Sequence, residues 1–167
     1  AALQMLKYNR NEVADSLGID PQNVRLLSPY VGGGFGSKLG ASPEIIAAAI
    51  AAKELGRPVS VVLHRRQVFE GITHRSETRQ RIRLAADREG VLTGVHHEAL
   101  VANLPEETFG EPVQQATHFL YGGEHRRIIH QLKRRNRPAT GSVRAPGEAV
   151  GVTALEIAMD ELAEAAG

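Results

Sequence analysis

The residues best suited to chemistry lie in one short run, Gly32-Gly33-Gly34-Phe35-Gly36-Ser37-Lys38, where four of the five positions from Gly32 to Gly36 are glycine. Without side chains in the way, backbone N–H groups can approach a ligand closely, and a helix N-terminus following the run adds partial positive charge. Phosphates and other oxyanions are the ligands such a loop favours. A Walker A loop needs glycine, lysine and then serine or threonine; here Ser37 precedes Lys38 and Leu39 follows, so nothing is placed to hold magnesium. The dinucleotide pattern of glycines two and three apart also fails, because its third position falls on Ser37 or on Leu39. From the residues alone the run is either an anion or cofactor cradle or a tight structural turn.

Other candidates are weaker. His96 and His97 are adjacent on an expected strand and so face opposite sides, which makes them ordinary strand histidines. His125 and His130 lack a third ligand at metal-binding spacing. The basic run from His125 to Arg135 has only Tyr121 nearby as a stacking aromatic, so it reads as a charged strand edge rather than a nucleic-acid site.

The elements that must hold these residues follow from pattern. Asn11 to Leu17 reads as a short helix capped by Asn11 and ended by Gly18. Val24 to Ser28 reads as a strand leading into the glycine run. Ser42 and Pro43 open a helix that Gly56-Arg57-Pro58 stops at about Leu55; it is apolar almost all round and is expected to be buried. Val59 to Leu63 is a β-branched run expected to be a buried strand. Thr78 to Ala86 and Val91 to Val101 read as a hairpin about Asp87-Arg88-Glu89-Gly90. The pattern from Ala102 to Gly123 is weak. Arg127 to Arg134 reads as a further strand, Asn136 to Pro146 as loop and Glu148 to Ala166 as a helix. The fold class is α+β, a mixed β-sheet with packed helices.

Bulk properties bound the function. The 167 residues are 42% hydrophobic and 23% charged, an ordinary globular mix. Twenty basic residues balance 19 acidic ones, a net charge of +1, so nothing draws the chain as a whole to nucleic acid or an anionic membrane. With no cysteine it carries no disulfide and no cysteine-held zinc or iron–sulfur cluster. The apolar run Ile45 to Ala52 is too short for a bilayer, which takes about 20 residues, and the N-terminus does not read as a secretory signal.

Val31 to Lys38, VGGGFGSK, resembles the glycine-rich cofactor loop of the molybdenum hydroxylase large subunits, the xanthine dehydrogenase and aldehyde oxidase family. Arg144 to Ala149, RAPGEA, followed by the helix through Ala158-Met159-Asp160-Glu161-Leu162, resembles a second segment of that family, in the same order along the chain. Gly56-Arg57-Pro58-Val59 and Arg75-Ser76-Glu77-Thr78-Arg79 between them are also similar, so the resemblance covers nearly the whole chain. The RAPGEA form points to the bacterial aldehyde-oxidising branch.

The resemblance implies a partial molybdenum-cofactor-binding domain over residues 1–167, a fragment of a larger subunit that hydroxylates aldehydes or N-heterocycles with oxygen from water. The implied cofactor is a molybdenum–pterin group, with Gly33, Gly34, Phe35, Gly36 and Arg144 as its binding residues. Phe35 would also border the substrate, Arg144 would sit near the metal, and Lys38 could help to hold the loop. Purine-oxidising members carry a glutamate after the loop lysine and an arginine in a later segment; this chain has Leu39 and Glu111-Pro112 there, against a purine substrate. The family's general base is a glutamate expected beyond Gly167, so no catalytic residue is assigned and the fragment alone is expected to be inactive. The implied partners are the rest of the large subunit, an iron–sulfur subunit, a flavin (FAD) subunit or another acceptor, and a small-molecule substrate, with neither nucleic acid nor membrane. Self-association of the fragment is expected from uncovered apolar surface. The compartment, cytoplasm or periplasm, is left open. The rival readings are a non-catalytic assembly domain derived from the family and a small anion- or nucleotide-binding module.

Overall fold

A computed structural model describes all residues, Ala1–Gly167. They form two compact units, Ala1–Thr73 and His74–Gly167.

The first unit holds three helices, α1 (Leu6–Leu17), α2 (Pro43–Leu55) and α3 (Arg65–Gly71), with the glycine run between α1 and α2. Gly18 ends α1 in the left-handed conformation, as read from the sequence. The helix begins at Leu6, however, with Met5 and not Asn11 before its first turn. Asn9 explains the early start: it is buried inside the helix, where its Nδ2 donates to the Leu39 carbonyl at 2.7 Å and to Glu12 Oε2 at 2.8 Å. Glu12 Oε2 also accepts from the Ala41 amide at 2.7 Å, so one turn of α1 grips the chain just after the glycine run.

Helix α2 keeps its expected limits, with Ser42 before it and left-handed Gly56 after it. The expected burial does not occur: none of its residues is buried, because within this unit its main helical neighbour is α1, which covers one side. Neither expected strand forms. Val24 to Ser28 makes no ladder; it is held to the N-terminus instead by Ser28 Oγ, which accepts from the Leu3 amide at 3.0 Å. Val59 to Leu63 is unpaired and Val62 is 83% exposed. A β-branched run becomes a strand only beside another strand, and this unit supplies none.

The second unit is the mixed sheet. Strands β1 (Thr78–Ala86), β2 (Leu92–Asn103) and β3 (His125–Arg134) lie in the order β1-β2-β3, the first pair antiparallel and the second parallel. β1 and α4 (Glu148–Ala166) match their sequence limits, while β2 and β3 run slightly longer than expected. A parallel neighbour requires a crossover, and residues 104–124, with a single 3₁₀ turn at Ala116–His118, supply it. The period of two puts Val95, His97, Ala99 and Val101 of β2 inside, where Ala99, Val101 and Val113 form the core with Leu132 and Val150 against them. Helix α4 packs on β1 and the 3₁₀ turn. Its Gly151 lies so close to the crossover that a Cβ would sit 1.8 Å from the Val113 carbonyl oxygen. The basic run falls on edge strand β3, as expected. Two of its arginines are tied down: Arg126 donates to the Thr117 carbonyl, and Arg134 to Leu104 at 3.1 Å. No helix is long and apolar enough to cross a membrane.

Candidate cofactor site

The loop of Gly33, Gly34, Phe35 and Gly36 is shaped by positive φ angles at Gly32 (65°), Phe35 (53°) and Gly36 (97°). Glycine takes such angles freely; phenylalanine does so only where its surroundings hold it. Gln4 supplies that hold. Its side-chain Oε1 accepts from the amides of Gly36 at 3.1 Å and Lys38 at 3.2 Å, while its backbone N–H donates to the Lys38 carbonyl at 2.8 Å. A Cβ at Gly34 would lie 2.4 Å from Gln4 Oε1, so glycine is what lets this side chain cross the loop. Lys38 Nζ reaches back to the Val31 carbonyl at 2.5 Å, and Ser37 donates through both its amide and its hydroxyl to Gly34 O. Lys38 therefore holds the loop, one of the roles open to it from sequence.

The result is a closed turn with the amides of Gly32, Gly33 and Gly34 left over. These three amides donate to nothing within the chain, and Gly32 and Gly33 are exposed. Phe35 is 63% exposed, with its ring laid back over Gly33, where a Cβ would come within 2.8 Å of Cε2. Beside the loop, Ser37, Lys38 and Gly40 line a cleft of about 260 Å³ with Leu3, Val61 and Ile72.

Arg144 belongs to the second unit. It is exposed at the start of a turn in which Ala145 (φ 55°) and Gly147 (φ 84°) are both left-handed. Arg75 and Glu111 hold this turn. The Arg75 guanidinium donates to the carbonyls of Arg144 (2.6 Å), Ala145 (3.3 Å) and Val143 (3.4 Å), and through Nη1 to Glu111 Oε1. Glu111, fully buried, also accepts from the amides of Ser76 (3.0 Å) and Gly147 (3.1 Å). Asn103 and Thr140 anchor the approach to the turn: Asn103 Oδ1 accepts from the Thr140 amide at 3.1 Å, and Ser76 Oγ meets Thr140 Oγ1 at 2.9 Å. Glu148, the first residue of α4, has a buried Oε2 with no partner in the chain.

The sequence thus singles out both loops but not what supports them, namely Gln4, Asn9, Glu12 and Arg75. Glu111 stands out in the sequence only by occupying the segment where purine-oxidising members carry an arginine. Signals existed for two of them: Arg75 lies in a stretch similar to the family, and a polar Asn9 on the inner side of an amphipathic helix marks a buried hydrogen bond.

His97 is fully buried on β2. Gln80 points its Oε1 at Nε2 (3.0 Å), because its amide nitrogen is directed at Val150 O and Thr78 Oγ1. Nε2 therefore carries the proton, and Nδ1 accepts from the Thr117 hydroxyl at 2.8 Å. Burial, helped by the charge of neighbouring His96, pushes the His97 pKa down to about 4. A neutral, doubly bonded imidazole is a structural group, in keeping with the reading of ordinary strand histidines.

Comparison with known proteins covers the whole chain. A family model described as the molybdopterin cofactor-binding domain matches residues 1–167. The chain is 44% identical over 164 residues to the aldehyde oxidoreductase molybdenum-binding subunit PaoC of Escherichia coli K12, covering 98% of this chain and 22% of that protein. It is 29% identical over 162 residues to the putative xanthine dehydrogenase molybdenum-binding subunit XdhA of the same organism, covering 95% of this chain and 22% of that one. Among solved structures, quinoline 2-oxidoreductase from Pseudomonas putida 86 superposes with a TM-score of 0.88 at 27% identity, over 99% of this chain and 22% of that one. The chain thus spans about a fifth of the length of the relatives it matches. With the whole of its length matched, it belongs to the family of molybdopterin cofactor-binding domains found in aldehyde oxidoreductase and xanthine dehydrogenase molybdenum-binding subunits.

Proposed function

We propose that residues 1–167 are a partial domain of a molybdenum-dependent oxidoreductase subunit that hydroxylates aldehydes, or N-heterocycles, with oxygen from water. The cofactor of the family is the molybdenum–pterin group. The observation that carries the reading is the run of unspent amides at Gly32, Gly33 and Gly34, in a loop whose far half is held by Gln4. Such donors suit the oxygen-rich periphery of that cofactor, so the residues present fit it. When bound, the group supplies the two-electron redox chemistry that the side chains lack.

The chain's own contribution is positioning. Gly33, Gly34 and Gly36 offer backbone without side-chain bulk, and Phe35 presents an apolar ring face against which a flat substrate can lie. The Arg144 guanidinium can stabilise negative charge that develops during the reaction. No residue of this chain is assigned as general base. Leu39 and the buried Glu111 offer a purine ring no free polar partner, which supports aldehydes over purines. The relative named as an aldehyde oxidoreductase supports the same choice and a place in the bacterial branch. The partners in this reading are the remainder of the large subunit, an iron–sulfur subunit and an FAD subunit. The iron–sulfur partner would supply the clusters that residues 1–167, without cysteine, do not hold.

Molybdenum and pterin content, measured on the full-length subunit that carries this chain and on residues 1–167 alone, tests the reading. Metal and pterin in the subunit, lowered by Gly34→Val, are expected. Their absence from both would leave an assembly role as the better account.

A further inference from the structure

We propose that Arg75 and Glu111 are positioning residues for the turn 143–147, setting by hydrogen bonds the backbone path that presents Arg144. The inference rests on the reading of that turn as cofactor-facing.

Three consecutive carbonyls, of Val143, Arg144 and Ala145, converge on one guanidinium. An extended chain points successive carbonyls to opposite sides, so this convergence needs a curl, to which the left-handed Ala145 contributes, while Gly147 turns the chain on into α4. Conformations of that kind persist only where the surroundings over-determine them. Glu111 adds the second half of the clamp. Its Oε2 takes the Ser76 amide and its Oε1 takes both Arg75 and the Gly147 amide. One buried carboxylate thus ties the residue after Arg75 to the residue before α4.

The polarity is fixed throughout. Every group facing Glu111 is an N–H donor, and every backbone group facing Arg75 is a carbonyl. A glutamine at 111 would set its NH₂ against a backbone N–H whichever way it turned. A lysine at 75 would keep the ion pair but, as a point donor, could not span the three carbonyls. Since a buried ion pair is weak evidence for stability, its geometric effect is the more informative property.

The test is made in the full-length subunit, with Arg75→Lys, Glu111→Gln and, as control, Glu77→Gln, whose carboxylate sits in an exposed pair with Arg137 at 3.5 Å. Two readouts are taken: amide hydrogen exchange over residues 143–149, and molybdenum and pterin content. Arg75→Lys and Glu111→Gln are expected to speed exchange in that stretch by roughly tenfold or more and to lower cofactor content, while Glu77→Gln changes neither. Should Glu111→Gln fail to fold, Arg75→Lys, which keeps the buried charge pair, decides alone. Unchanged exchange in Arg75→Lys would overturn the clamp and leave the proposed function standing. Faster exchange with full cofactor content would mean that the turn does not serve the cofactor, overturning both this inference and the role given to Arg144.

Discussion

The side chain of Gln4 bridges to the amide of Gly36, 32 residues further along the chain, and caps Lys38 with the same oxygen. A single acceptor therefore fixes the last half of the glycine loop. Gln4→Ala should cost about 1–2 kcal/mol, the net worth of two ordinary hydrogen bonds. It should also raise amide exchange at Gly36 and Lys38 and lower molybdenum content in the full-length subunit. Gln4→Glu keeps an acceptor and is expected to hold the loop; equal damage from the two substitutions would show that the oxygen is not what matters.

Gly151 offers a test of the second unit that does not involve the cofactor. An added Cβ would lie 1.8 Å from the backbone oxygen of Val113, and backbone cannot turn aside as a flexible side chain can. Gly151→Ala would ordinarily favour a helix by about 1 kcal/mol. Here overpacking should reverse the sign, destabilising the protein by roughly 1–3 kcal/mol. Urea denaturation decides it, and a stabilised variant would mean that α4 does not approach the crossover as described.

How far the fold was legible depended on where each element finds its partners. Strand β1 and helix α4 declare their limits locally, through alternating Ile82 and Leu84 and through the glycine and acidic residue that open the helix. Val59 to Leu63 carries as strong a strand signal, yet forms none, because a strand is completed by a neighbour and residues 1–73 supply no strand. The two loops were legible as motifs, since glycine runs and RAPGEA are contiguous. Their supports were not, because Arg75 and Glu111 are 36 positions apart and nothing in either residue's type names the other.

The unpaired run has a consequence in solution. Val62 is 83% exposed and Phe69 59%, both in the first unit, and Leu55 is exposed there as well. Residues 1–167 produced alone should self-associate at high concentration through such surface. Val62→Lys should weaken that association by about tenfold or more, the worth of one buried apolar side chain. Sedimentation velocity across a hundredfold concentration range would check it. A monomer throughout would remove self-association from the account.

His97 makes the stability of the sheet depend on pH in a predictable direction. Its pKa is about 4 in the folded chain and 6.5 when exposed, so between those values the unfolded state binds the proton and the folded state does not. The neutral form's contribution is complete above pH 6.5, falls as pH drops toward 4, and is flat below. At 1.36 kcal/mol per unit, about 2 kcal/mol should be lost by pH 5 and up to about 3 by pH 4. Carboxylates titrate near the lower end, so the informative comparison is with His97→Gln. That variant is expected to be less stable at neutral pH, because Gln80 and Thr117 lose the ring between them. Between pH 7 and pH 5 its unfolding free energy should fall less steeply than that of the parent, the remaining slope coming from His130, whose pKa burial also lowers. Parallel slopes in the two proteins would mean that His97 is already protonated, or solvated, in the folded state.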